Sequence, residues 1–177
     1  MTLRCIDDKK ESQLRENVLS NLCECYYSIY LFDLEEDMQE AIWQEDTIYR
    51  KGEFPKGSLE SYYGKFVREH VFLEDREKMQ RAGSPEFLRQ TLSEENPVYD
   101  VDFRRIYPDR LGWVRSRFSI AEMRDGKVTK VVFANMNINE QKMEEYEEEK
   151  QKKLYFESRN IIKGLSSFYH SVFYVDL

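Results

Sequence analysis

The sequence predicts an α+β fold in which helices and strands occupy separate stretches: a helix, two strands, a group of short helices, three long strands and a final helix. Three observations carry this. From Pro97 to Ile138 apolar residues recur with a period of two, the mark of half-buried strands. Between Glu45 and Glu95 that period is lost, and Gly52, Pro55, Gly57, Gly64, Gly83 and Pro85 cut the chain into short helical pieces. Asp125-Gly126 stands between two strand candidates, where a tight primed turn needs positive φ and glycine supplies it without steric cost.

Taken in order, Lys9 to Glu24 contains no Gly or Pro, and Leu14, Val18, Leu22 and Cys25 fall at helical spacing, so an amphipathic helix is expected. It leads into Ser28–Asp33, rich in aromatic and β-branched residues and read as a strand. Leu34 to Asp37 is an acidic turn, and Met38 to Trp43 returns as the second strand. In the middle segment Ser58 is an expected N-cap. Ser84-Pro85-Glu86 is another, with proline at the first helical position. Val98 to Tyr107, Trp113 to Met123 and Val128 to Ile138 are then three consecutive antiparallel strands, joined through PDRLG (Pro108 to Gly112) and RDGK (Arg124 to Lys127).

After Asn139 the chain reads EQKMEEYEEEKQKKLYFESRNIIKGLSS, with no Gly or Pro before Gly164. Glu148 with Lys152 and Glu149 with Lys153 are i, i+4 pairs worth about 0.3 to 0.5 kcal/mol each on an exposed helix. Met143, Tyr146, Lys150 and Leu154 form only a thin heptad seam. A solvated spacer and a coiled-coil connector both fit this helix.

The segment NVLSNLCECYYSIYLFDL (Asn17 to Leu34) aligns without gaps with NIIKGLSSFYHSVFYVDL (Asn160 to Leu177), 143 positions later. Asn17/Asn160, Leu22/Leu165, Tyr26/Tyr169, Ser28/Ser171, Asp33/Asp176 and Leu34/Leu177 are identical. Such a spacing suits one domain plus a connector and is too long for a solenoid repeat. The favoured reading is a second domain beginning near residue 167, its first strand at Ser171 to Leu177; the alternative is a chance match of two helix-to-strand junctions. The expected organisation is an N-terminal helix over 1–26, a domain over 27–139, a polar connector helix over 140–166 and the start of a second domain over 167–177.

The 177 residues are 41% hydrophobic and 34% charged, enough for one core beneath a well-solvated surface. A formal charge of -7 argues against nucleic acid or an anionic membrane surface as partner. MTLRCIDDKKESQLRENV has no apolar run, so neither a secretory leader nor a membrane anchor is expected in it. Cys5, Cys23 and Cys25 are odd in number and lack metal spacing, which suits reduced thiols and a cytoplasmic setting.

Strand, strand, helices and three strands over Tyr27 to Asn139 resemble a PAS domain, and local motifs agree. EHVFLEDREKM (Glu69 to Met79) is similar to the "HP-D/E-DR" helix start of bacterial PAS domains, with Glu74-Asp75-Arg76 in place and Phe72-Leu73 where His-Pro is usual. VDFRRIYPDRLGWVRSRFSI resembles the family hairpin through Phe103-Arg104 and Gly112-Trp113-Val114. Asn137-Ile138-Asn139-Glu140 stands where the family has Asp-Ile-Thr-Glu, a polar tie between the last strand and the outgoing signalling helix. The resemblance implies a five-stranded antiparallel sheet with short helices cupped over one face, signal coupling through Asn137, Ile138 and Asn139, and tandem occurrence.

No catalytic residues are expected. His70 and His170 are the only histidines, and no phosphate-cradling Gly-rich loop occurs. The flavin-binding PAS motif Asn-Cys-Arg-Phe-Leu-Gln is missing between Trp43 and Glu95, and His70 is the sole candidate haem ligand, so no cofactor and no metal is expected.

A small anionic ligand stays open. Arg104 and Arg105 face opposite sides of one strand, while Arg115 and Arg117 share a face of the next. One arginine from each, Arg104 and Arg117, would meet a carboxylate in the cavity beside Tyr30, Trp43 and Trp113. The alternative pairs these arginines with cross-strand Asp100 and Asp102 and lets Tyr30, Phe32, Trp43, Phe66, Phe103, Trp113 and Phe118 fill the space. The resemblance thus implies a regulatory module of a bacterial signalling protein, homodimeric through its flanking helices and coupled to a diguanylate cyclase or histidine kinase further along. A dimerisation scaffold that senses no ligand is the alternative.

Overall fold

The computed structural model describes residues 25–45, 48, 54 and 56–172, with side chains to 165. The helix expected over Lys9 to Glu24 lies outside them, as do Cys5 and Cys23. The chain divides into a domain ending at Ile138 and a helical unit from Asn139.

In the domain, β1 (Ser28–Asp33) and β2 (Met38–Gln44) form a hairpin, followed by a short strand β3 (Gly57–Ser58) and α1 (Leu59–His70). A single 3-10 turn (Leu73–Asp75) precedes α2 (Arg76–Ala82) and α3 (Pro85–Thr91). The long strands β4 (Val98–Ile106), β5 (Leu111–Arg124) and β6 (Lys127–Asn137) complete an antiparallel sheet in the order β3-β2-β1-β6-β5-β4. The sheet has six strands where five were expected.

The extra strand has a capping origin. An N-cap residue needs extended backbone, and Ser58 (ψ 124) takes it beside β2. Its Oγ accepts from Ser61 N–H at 3.2 Å and donates to Asp37 Oδ2 at 2.8 Å, while Asp37 Oδ1 accepts from Glu60 N–H at 3.0 Å. Asp37, at φ 49, thereby joins the first hairpin turn to the start of α1. Ser84 caps α3 as expected, accepting from Phe87 N–H with Pro85 at the first position. Asp125 (φ 50) and Gly126 (φ 73) make the predicted left-handed turn between β5 and β6.

One sheet face carries the core. Tyr30 and Phe32 of β1, Phe133 and Val131 of β6, Phe118 and Val114 of β5, and Phe103 of β4 are buried with Leu59, Tyr63, Phe66 and Val67 of α1. The Phe133 ring touches those of Tyr30, Phe32, Tyr63, Phe66 and Phe118, with Phe118 nearly parallel at 4.9 Å and Tyr63 edge-on at 5.6 Å. These offset and edge-to-face geometries suit ring quadrupoles and contribute beyond area burial.

The second unit is α4 (Asn139–Val172), 34 residues long. It passes Gly164 without a break, so Ser171 and Val172, expected to open a strand, are helical; residues 173–177 lie outside the described residues. Met143, Tyr146, Leu154, Ile161 and Leu165 of α4 are 55–63% exposed.

Gly83, the C-cap of α2, abuts the Tyr63 ring so closely that a Cβ there would overlap it. Tyr63 is fixed in place, its hydroxyl donating to Met79 C=O at 2.7 Å. Thermal denaturation of Gly83→Ala should therefore show a loss of about 1 to 3 kcal/mol through overpacking.

Candidate functional site

The space under α1 is where the sheet and helices enclose a cavity. Tyr30, Gln39, Phe54, Tyr62, Tyr63, Phe66 and Phe133 line a volume of about 10 Å3. That is the lower limit for a single water and far below the roughly 300 Å3 at which small-molecule sites begin. Among the described residues lining it, Gln39 Nε2 is a buried side-chain atom without a hydrogen bond, on a residue 4% exposed. Among the described residues, these aromatic side chains pack against one another and leave little room between them.

Beside the rings runs a polar row across three strands. Ser116 Oγ donates to Asn135 Oδ1 at 2.6 Å, and Asn135 Nδ2 donates to Ser28 Oγ at 3.0 Å. All three are fully buried cross-strand partners. A one-residue slip of β6 would turn Asn135 out of the row and strand two hydroxyls in apolar surroundings, so the row specifies register.

The buried cation of the core face is Arg105, 1% exposed, against the rings of Tyr27, Phe66 and Tyr107 at 5.3–5.9 Å. Its Nη1 donates to Tyr27 Oη at 3.4 Å. Sequence reasoning put Arg104 in this place. The missed signal is the strand period itself: Val101, Phe103 and Arg105 share one face, so an inward Phe103 brings Arg105 with it.

Arg104 stands on the opposite face, fixed by Asp75. Asp75 Oδ2 accepts from the Arg104 backbone N–H at 2.9 Å and from its Nε at 2.8 Å, and Arg104 Nη2 donates to Glu74 at 2.8 Å. The guanidinium lies over the rings of Phe72 at 4.5 Å and Trp113 at 5.7 Å. Arg76 Nε donates to Val71 C=O, so the Glu74-Asp75-Arg76 motif joins the 3-10 turn to β4. Burial by itself raises the Asp75 pKa, but the hydrogen bonds and charges of Arg104 and Lys78 outweigh it and hold the carboxyl below its ordinary range. The hydrogen bonds to Asp75 and Glu74 push the Arg104 pKa up in turn.

Arg117 makes two parallel bonds to Asp100, at 2.8 and 2.7 Å, and Arg115 makes two to Asp102, at 2.7 and 3.0 Å. The structure therefore brings Arg104 and Trp113 together as cross-strand partners, with Arg117 farther along that same face. It does not bring them to Tyr30, which lies inside. Trp43 pairs with Ile29 of β1 at the outer face of β2, 41% exposed. The expected meeting of Arg104 and Arg117 in the cavity does not occur, because both have carboxylate partners outside it.

At the exit, Asn137 ends β6 opposite Val114, and Asn139 begins α4. Ile138 between them is buried, and its N–H donates to Trp113 C=O at 3.0 Å. Among the described residues no cluster of three or more His, Cys, Asp or Glu could hold a metal, and no helix is long and apolar enough to cross a membrane.

This architecture, an antiparallel sheet with short helices over one face and a long helix leaving its last strand, is a PAS-like fold. No protein-family model and no curated protein matches the sequence. Among solved structures, the chain is similar to a sensory box histidine kinase/response regulator of Burkholderia thailandensis E264, with 15% identity over 71% of this chain and 87% of that one and a TM-score of 0.46. It is similar also to the N-terminal domain of a diguanylate cyclase with PAS/PAC sensor from Marinobacter aquaeolei, with 16% identity over 64% and 96% and a TM-score of 0.42. The PAS domain of Bordetella pertussis BvgS matches at 12% identity over 79% and 98%, with a TM-score of 0.33. Likenesses this distant carry no function to the chain.

The Asp75 carboxylate gives a pH signature. Its ordinary pKa is 3.8 and its folded value is lower, so its contribution is complete above about pH 4 and is lost as pH falls through the depressed folded value. Asp75→Asn should cost about 1 to 3 kcal/mol at pH 7 in urea denaturation, and the difference from the parent should shrink as pH falls below about 4.

Proposed function

We propose that the chain is a regulatory PAS-type module of a multidomain bacterial signalling protein, passing a change in its sheet to an output domain through α4. The observation that carries this is the junction: Ile138 alone separates β6 from α4, and it is held to β5 through the Trp113 carbonyl. Any shift of β6 against β5 must reach the first turn of the helix through one buried residue. The resemblance points to a diguanylate cyclase or histidine kinase as the output.

A cavity of about 10 Å3 favours an input other than an organic ligand held in the core, such as a partner or a change in packing. Signal coupling is assigned to Ile138 with flanking Asn137 and Asn139. The experiment is a fusion of the chain to a diguanylate cyclase reporter. Phe118→Leu in the core should change cyclase turnover in the parent fusion and leave it unchanged when Ile138→Gly is also present. Equal responses in both backgrounds would contradict the reading.

A dimerisation scaffold is the second reading, favoured by the exposed apolar side chains of α4. Both readings use a homodimer through this helix. Sedimentation of the chain should give a dimer, and Leu154→Lys with Ile161→Lys a monomer of unchanged thermal stability in the domain. A monomeric parent would exclude the scaffold.

A further inference from the structure

β4 is the last strand of the sheet, and its outer edge is closed over only half its length. Ile120 N–H donates to Pro97 C=O at one end, and Tyr107 N–H to Arg110 C=O at the other. Antiparallel alternation then gives the odd-numbered residues of β4 to β5 and turns the N–H and C=O of the even-numbered ones outward. At Arg104 both groups are taken, the N–H by Asp75 and the C=O by Phe72 N–H; the Asp102 carbonyl accepts from Lys78 Nζ. Val98 and Asp100 have no such cover among the described residues, and both are exposed.

Alongside this open half lies a groove of about 430 Å3 lined by Glu74, Glu77, Lys78, Arg81, Ala82, Phe87 and Tyr99. Its lining includes the edge-to-face pair of Phe87 and Tyr99 at 5.3 Å, and Arg81 lies 4.9 Å over Phe87, with no carboxylate partner among the described residues. Glu74 is held by Arg104, and Lys78 by Asp75 and the Asp102 carbonyl, which leaves Glu77 and Arg81 as the groove charges in no ion pair among the described residues. An open strand edge facing a helix across a lined groove is the geometry of strand addition. A second copy of β4 is disfavoured, because two-fold pairing about Asp100 would set two aspartates opposite each other.

We propose that this edge and groove bind an extended segment of a partner protein, antiparallel to β4, carrying a basic residue and, two positions toward its C-terminus, an acidic one. The order follows from placement. The start of α2 is beside Asp102 and Arg104 through Lys78 and Asp75, and its end is beside Tyr99, so α2 runs opposite to β4. A strand antiparallel to β4 therefore runs in the same direction as α2 and passes Glu77 first and Arg81 second. Four helical residues span about 6 Å, and two strand residues about 6.6 Å, so successive groove-facing side chains match the two charges.

The test compares two synthetic peptides of equal composition and zero side-chain charge, Thr-Val-Glu-Val-Lys-Val-Thr and Thr-Val-Lys-Val-Glu-Val-Thr, against the full chain by fluorescence polarisation and amide hydrogen exchange. The Lys-then-Glu peptide should bind about tenfold tighter, since two ion pairs form in one order and repel in the other. It should protect the Val98 and Asp100 amides. Glu77→Arg with Arg81→Glu, both surface changes, should reverse the preference. Equal binding of the two orders, no binding of either, a preference that survives the charge swap, or protection of the same amides by self-association without peptide would each overturn the proposal.

Discussion

The packing of rings around Phe133 is the contact on which the rest of the structure depends. β6 is central in the sheet, and Phe133 projects from it toward α1, where Tyr63 and Phe66 meet it edge-on while Phe118 stacks alongside. A residue of this size in this place decides two things together. It anchors the helical layer to the sheet, and its ring takes up space between the sheet and α1. Close packing here means that a shift of α1 is felt by β1, β5 and β6 at once, as expected of interiors with few voids.

Around that centre, polar groups fix what the rings cannot. Aromatic contacts tolerate sliding, but the Ser116, Asn135 and Ser28 row allows one register. Asp75 acts similarly at the margin. One carboxylate accepts a backbone N–H and a guanidinium of β4, closing half of an edge that would otherwise invite pairing. The sheet is thus specified at its middle by a neutral row and at its edge by an ion pair, and its last strand leads to α4 through Ile138.

Much of this was legible in the sequence. The period of two located β4, β5 and β6 to within a few residues, Asp125-Gly126 marked their hairpin, and Ser58 and Ser84 were recognised as caps because their chemistry is local. Tertiary contacts were harder to see. The sequence alone points Arg104 to the cavity, because the partner that draws it outward, Asp75, is 29 residues away. Arg105 could have been placed by its shared face with Phe103. β3 is a consequence of capping, since two extended residues become a strand only because β2 lies beside them. The helical state of Ser171 and Val172 departs from the strand their repeat pattern suggests, because the pattern carries no information about the local hydrogen bonds that continue α4 through them.

If the core is filled by its own side chains, the domain operates without an organic ligand inside it. Native mass spectrometry of the purified chain tests this most directly. The account predicts the mass of the bare chain, or a whole multiple of it for an oligomer, under conditions that preserve non-covalent adducts. A stoichiometric small-molecule adduct that disappears on denaturation, and disappears also when Phe133→Trp closes the remaining space, would contradict it.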